Sequence, residues 1–500
     1  MNLFRQVPKS LLPRRLGRAP RFYPSPPPTF LLPTRQSSTS TSDPPTLTSP
    51  TTATTAATST YKTTERRSKK PHLHTVIARD PKLNGARLTN TKRTELLLNG
   101  MPCAFDNIFL RDACSCAYCV DPSTQQKLFQ TSDIPADIRP LSAMTLEDGA
   151  VRITWDPETD LPVTNPRREN HTSLYSAEFL LRYSKQRHIV RYRFNDRKMV
   201  LWDREVMGND ILWLDYEEYI SPLNDEVGLY KALQALSTYG LFFLKNVPST
   251  PSSVETIASR IGPLKSTFYG STWNLRSQPS SKNIAYTSLN LPLHVDLQYF
   301  SMPPAIQFLH SLKNTTSGGH TYFADGFRAA TAIRMTSSSL WHSLLTYPVS
   351  FHYDNDGHHY HHIHPTVVLD ENDYREHKRI KYINYSPPFQ APFEDWPGDP
   401  QFSGRFRLFH RAMEMFAHSI EDPEAHFEVR LEEGMCAVFA NRRVLHARRE
   451  FDQDSGERWF RGTYVDEDAF LSRIRVLGRR FKGKGYEREE AGDYGYVEGV

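Results

Sequence analysis

The chain has 500 residues, 38% hydrophobic and 12% aromatic, enough to bury a core and too long for one typical domain, so two folded domains plus tails are expected. Its formal net charge of +5 is small for this length and partly confined to the first forty residues, which argues against a nucleic-acid partner. No uncharged apolar run approaches the roughly eighteen residues of a membrane span, so a soluble protein with no membrane partner is expected.

Residues 1–42 carry Arg5, Lys9, Arg14, Arg15, Arg18, Arg21 and Arg35, with no acidic residue before Asp43. An Arg-rich, Ser-rich, acid-poor leader reads as a mitochondrial transit peptide. Pro13 and the run Pro26 to Pro28 weaken an amphipathic helix, and a disordered basic tail on a cytoplasmic protein is the alternative. Residues 36–70, rich in Ser, Thr and Pro, lack the apolar surface to fold; leader and linker together span 1–71.

The first folded region, 72–200, reads as a small β-rich domain. Three of the five cysteines fall in Cys114-Ser115-Cys116-Ala117-Tyr118-Cys119, with Cys103 and Cys436 apart. Such clustering favours a metal over disulfides, and zinc takes four tetrahedral ligands, often thiolates completed by histidine. His171 is a candidate for the fourth. Between these points Ala150-Val151-Arg152-Ile153-Thr154-Trp155 alternates as a strand before the turn signal Asp156-Pro157, and a helix is expected from Ser176 to Lys185. A zinc-stapled scaffold or dimer surface without chemistry of its own suits this region.

The second region, 201–480, changes pattern. Helices are expected over Val227 to Tyr239 and near Ser253 to Ile261, around a buried strand Gly240-Leu241-Phe242-Phe243-Leu244. Beyond Asn283 short strands with Gly, Pro and Asn punctuation predict a double-stranded β-helix, or jelly roll. The whole is α+β, mainly β, and 481–500 is a polar tail. His294-Val295-Asp296 places an imidazole and a carboxylate at i and i+2, on one face of a strand. His446 supplies a candidate third ligand, completing a two-His-one-carboxylate set for non-haem Fe(II). An ordinary polar strand pair is the alternative. Arg458 follows His446 by twelve residues and could grip the remote carboxylate of a co-substrate; Arg461 competes, and a surface salt bridge is the alternative for either. The stretch His358-His359-Tyr360-His361-His362-Ile363-His364 reads as a solvated loop or strand rim ahead of a second metal site.

Several motifs carry a family resemblance. Asn283-Ile284-Ala285-Tyr286-Thr287, the His294 motif, Ile306-Gln307-Phe308-Leu309-His310, Gly318-Gly319, Asn441-Arg442-Arg443-Val444-Leu445-His446 and Leu110 to Cys119 resemble the gamma-butyrobetaine dioxygenase and trimethyllysine dioxygenase family over residues 90–475. The resemblance implies Fe(2+) at His294, Asp296 and His446, and Zn(2+) at Cys114, Cys116, Cys119 and His171. It places 2-oxoglutarate on Arg458 and Thr321, and a trimethylammonium group in a box of Tyr269, Trp273, Tyr286 and Tyr464 beside Asn283. A quaternary ammonium donates no conventional hydrogen bond, so ring faces suit it. Further implications are O2 as co-substrate, ascorbate as reductant and a homodimer. Hydroxylation of gamma-butyrobetaine to L-carnitine is the favoured reaction; trimethyllysine, another small amine or acid, or a scaffold that has lost catalysis are the alternatives. Ala440-Asn441-Arg442-Arg443 stands where the family has Asp-Asn-Trp-Arg, and Ala447-Arg448 where it has Gly-Arg, which puts the substrate in doubt.

Overall fold

A hairpin, β1 (Arg93–Leu98) and β2 (Met101–Asp106), opens the described chain. Asp106 then accepts a hydrogen bond from the Ile108 N–H and so caps α1 (Asn107–Asp112), which delivers the chain to the cysteines. The structure, a computed structural model, describes residues 92–98, 101–161, 170–186, 188–189, 199–222, 226–276, 287–373, 378–395 and 398–481. The expected leader, linker and polar tail, with Asn283 and Tyr286, lie outside these residues.

β3 (Pro140–Thr145), β4 (Val151–Trp155) and β5 (Thr172–Tyr175) form an antiparallel sheet. On β4, Val151, Ile153 and Trp155 are buried and Arg152 is exposed, the period-two alternation of the sequence. α2 (Ala177–Tyr183), capped by Ser176, adds Leu180 to a core that contains Leu110 and Trp155. The described residues belong to one compact unit within Lys70–Val500, in which this module keeps its own core.

The remainder is a two-sheet jelly roll. The chain runs through α3 (Arg204–Asp210), β6 (Trp213–Asp215), α4 (Tyr216–Ile220), α5 (Val227–Tyr239), β7 (Leu241–Lys245), α6 (Ser253–Ser259) and β8 (Thr272–Arg276). After β9 (Leu291–His294) and β10 (Ile306–Asn314) come β11 (Ser317–Gly318), β12 (Thr321–Asp325), α7 (Gly326–Thr336) and α8 (Ser338–Thr346). β13 (Val349–Asn355) pairs with β14 (His358–His364), so the histidine stretch is a strand, alternately half-buried and exposed until buried His364. β15 (Val367–Leu369), β16 (Ile380–Ile383) and the long α9 (Phe402–Glu421) precede β17 (His426–Val429), β18 (Cys436–Ala440) and β19 (Val444–Arg448). β20 (Phe451–Asp452), β21 (Arg458–Val465) and α10 (Glu467–Phe481) end the described chain.

The larger sheet has strand order β6-β7-β18-β10-β21-β8, the smaller β17-β12-β19-β9. Alternation on β7 shows how they are covered. Leu241 and Phe243 join the inner core with Phe323, Phe439 and Phe460, while Phe242 and Leu244 face helices α5, α6 and α10. Phe243 meets Phe323 of the opposite sheet edge-on at 5.9 Å. Helices α7, α8 and α9 cover the outside of the smaller sheet. Among the described residues no helix is long and apolar enough to cross a membrane.

Candidate metal centre and cavity

His294 and His446 are cross-strand partners on β9 and β19, so the sheet ladder itself sets their rings side by side, 4.2 Å apart. β9 ends at His294, and Asp296 lies beyond it, in the bend before Leu297, whose φ is 59°. The same-face rule for strands therefore does not place the carboxylate. Asn441 does: its Oδ1 accepts from the Asp296 N–H at 2.8 Å and its Nδ2 donates to the Asp296 carbonyl at 3.2 Å.

Asp296 Oδ1 stands 3.3 Å from His294 Nε2 and 3.8 Å from His446 Nε2, distances that one ion with bonds of about 2.1 Å can bridge. His294 Nδ1–H donates to the Pro292 carbonyl at 2.8 Å, which leaves Nε2 with its lone pair free to ligate. Burial, then the neighbouring His294, takes His446 down to about 3, so it is neutral at physiological pH. Burial would raise Asp296, but His446, His294 and the Tyr464 hydroxyl hold it well below the usual carboxylate range. Two imidazoles and one carboxylate are the donor set that suits Fe(II) with open positions.

The cavity beside these groups is lined at one end by Arg458, Arg448, Thr321, Leu275 and Leu309. Arg458 is 7% exposed, its Nε has no partner, and within the described residues no carboxylate pairs with it. Burial and then the Arg448 charge pull it down to about 9, which still leaves a cation at neutral pH. A buried unpaired guanidinium is costly unless a bound anion meets it. Arg461 points elsewhere, donating to Glu255, Thr272 and Asn274, so the two candidate arginines separate cleanly. Gly319, at φ +70°, passes the chain where a Cβ would approach Phe451 to 3.2 Å and Arg458 Nε to 3.6 Å. Thr321 is the cross-strand partner of Arg448.

The other end of the cavity is aromatic. Tyr269, Trp273 and Tyr464 line it, and so do Tyr299 and Phe389, which sequence reasoning passed over. Tyr299 had a signal in its position three residues after Asp296; Phe389, on a short 3-10 turn, had none. Trp273 stacks on Tyr464 at 4.1 Å and lies over Gly462, where any Cβ would sit 2.5 Å from the indole. Of the departures from the family pattern, Arg442 stacks on Tyr382 and bonds Asn384, outside the cavity lining, whereas Ala447 lines it next to the matching Arg448.

In the amino-terminal module Cys114, Cys116 and Cys119 Sγ lie 3.4, 3.6 and 3.5 Å from His171 Nε2. A tetrahedral zinc with bonds of about 2.3 Å to sulfur and 2.05 Å to nitrogen requires about 3.6 Å. The four donors fit that ion. Arg111, paired with Asp160 at 2.6 Å, donates to Cys119 Sγ at 3.1 Å and backs the cluster with a buried positive charge.

Residues 218–464 match the family described as Taurine catabolism dioxygenase TauD, TfdA family, and residues 98–181 match Gamma-butyrobetaine hydroxylase-like, N-terminal. The chain is similar to Dioxygenase str8 of Strobilurus tenacellus, 39% identical over 74% of this chain and 84% of that protein. Gamma-butyrobetaine dioxygenase of Pseudomonas sp. is 32% identical over 76% and 92%, and the mitochondrial trimethyllysine dioxygenase of Homo sapiens 30% over 75% and 83%.

Proposed function

The chain belongs to the gamma-butyrobetaine and trimethyllysine dioxygenase family of Fe(II)- and 2-oxoglutarate-dependent enzymes, and on that footing we propose that it hydroxylates a small trimethylammonium compound, with gamma-butyrobetaine to L-carnitine favoured. The observation that carries this reading is a single cavity with His294, Asp296 and His446 on its wall, an unpaired buried Arg458 at one end and aromatic rings at the other. Bound there, iron and 2-oxoglutarate supply an O2-dependent oxidation that inserts one oxygen atom into a substrate C–H bond, with succinate and carbon dioxide as co-products.

The protein's own residues do the rest. His294, Asp296 and His446 hold the metal, Arg458 takes the remote carboxylate of 2-oxoglutarate through its guanidinium, and the Thr321 hydroxyl adds a hydrogen bond. Tyr269, Trp273 and Tyr299 offer ring faces to the ammonium group and keep water from the reacting carbon. The Cys114, Cys116, Cys119 and His171 cluster holds a structural zinc that staples the amino-terminal module, and ascorbate keeps the iron reduced. Trimethyllysine is the second reading, favoured by the basic leader and by relatives whose names carry a mitochondrial address.

Mass spectrometry of each candidate amine, incubated with enzyme, Fe(II), ascorbate and 2-oxoglutarate, decides between them. One of the two should gain a single oxygen. If neither does while 2-oxoglutarate is still consumed, the trimethylammonium reading is wrong. Trp273→Ala should weaken the quaternary substrate about tenfold more than its uncharged tert-butyl isostere; equal losses would remove the cation–π argument.

A further inference from the structure

Asp296 poses a positioning problem that neither histidine shares. His294 and His446 are fixed by the β9–β19 ladder, but the aspartate follows the last residue of β9 and precedes a left-handed Leu297. No ladder orients its side chain. What grips it instead comes from two residues that are not ligands.

Asn441, fully buried, spans the Asp296 peptide with both ends of its amide. The same Nδ2 donates to the Pro304 carbonyl at 3.0 Å, and the Asn441 N–H donates to Ala305 at 2.8 Å. Asn441 opens the turn that leads to His446 five residues later, so it binds the second ligand to the strand that carries the third. Tyr464 acts on the carboxylate itself. Its hydroxyl donates to Asp296 Oδ2 at 2.7 Å, while Oδ1 faces the two histidines. The two oxygens are thus divided. One is left for an ion and the other is occupied, which disfavours a two-oxygen grip on the metal and leaves one more position open. The Tyr464 ring, 2% exposed, gives one face to the Trp273 indole and still lines the cavity.

We propose that Tyr464 and Asn441 are positioning residues for the metal-binding carboxylate of Asp296, the tyrosine through Oδ2 and the asparagine through the backbone. The proposal rests on the reading of His294, Asp296 and His446 as a metal site. It adds a role for the Tyr464 hydroxyl at the metal to the place of its ring in the cavity wall.

Tyr464→Phe keeps the ring and removes the donor, so it isolates the point. Anaerobic titration with Fe(II) should show about tenfold weaker binding, with a shifted visible charge-transfer band once 2-oxoglutarate is added. The melting temperature and the preference for a trimethylammonium substrate over its uncharged isostere should stay as in the parent. Asn441→Ala should lower Fe(II) affinity at least as far; if it does not fold, the tyrosine variant still decides. Unchanged Fe(II) affinity and an unshifted band in Tyr464→Phe overturn the proposal, and a changed ammonium preference with intact iron binding returns the hydroxyl to the substrate. His294→Ala is the control: if it binds Fe(II) as the parent does, the metal reading itself is what fails.

Discussion

Around His171 four donors face one another, whereas around Asp296 three donors share one side and leave the other to a cavity. The first cluster is backed at Cys119 by a buried Arg111–Asp160 pair, and its four donors would fill every position of a tetrahedral ion. The second sits beside Arg458 and a ring of aromatics. The number of donors, more than their identity, separates an ion that holds a fold from one that meets a substrate. The two regions also differ in how they are tied down. Cys114, Cys116 and Cys119 come from one short loop, and Cys114 and Cys119 are part of the module's own core, so a metal there would tie that loop into it. The His-Asp-His set instead borrows a finished jelly roll.

The largest effect should expose that division. Cys119→Ser is expected to drop zinc content from one equivalent to none and to make residues before 200 sensitive to trypsin, since structural zinc contributes on the order of 10 kcal/mol to small modules. His294→Ala should do the reverse, keeping zinc and melting temperature while abolishing turnover. Equal loss of stability in both variants would erase the distinction between the clusters.

Next in size is the Arg458 end of the open site. Arg458→Ala should reduce kcat/KM for 2-oxoglutarate about a thousandfold, because two charge-assisted hydrogen bonds disappear together. A 2-oxo acid without the remote carboxylate should lose almost nothing in the same variant. Parallel losses for both acids would mean that Arg458 supports the barrel and does not bind the co-substrate.

A smaller effect concerns His310, buried on β10 with neither ring nitrogen partnered among the described residues, and flanked across the strands by Cys436 and Arg461. Burial lowers it from 6.5 to about 4. The folded protein therefore binds its proton less readily than the unfolded chain. The stability this gives is complete above pH 6.5 and is lost as the pH falls toward 4. The loss is about 2 kcal/mol at pH 5. Urea unfolding at pH 7 and pH 5 should show it, and His310→Leu should flatten the difference. An unchanged slope would assign the acid sensitivity to other groups.

The cysteine cluster was legible in the sequence because thiolates two and three residues apart favour a metal, whereas the His-x-Asp pair is common by chance and gained weight only from the motifs around it. The jelly roll followed from strand punctuation. The grip on Asp296 was not legible, since Asn441 lies 145 residues away and earns its role only through the fold. Arg458 and Arg461 differ by three positions and so point to opposite faces of β21, but that parity shows only once the strand is known. Phe389 reaches the cavity from a turn whose sequence carries no periodic signal at all.

Gly462 adds a consequence for how such an enzyme changes over generations. Its missing side chain is the shelf on which the Trp273 indole rests, and the smallest addition there would push the ring inward. The breadth of the chamber is thus heritable at a codon whose product never meets the molecule being oxidised. Selection for a leaner substrate has a lever outside the chemistry, one that leaves His294, Asp296, His446 and Arg458 in place.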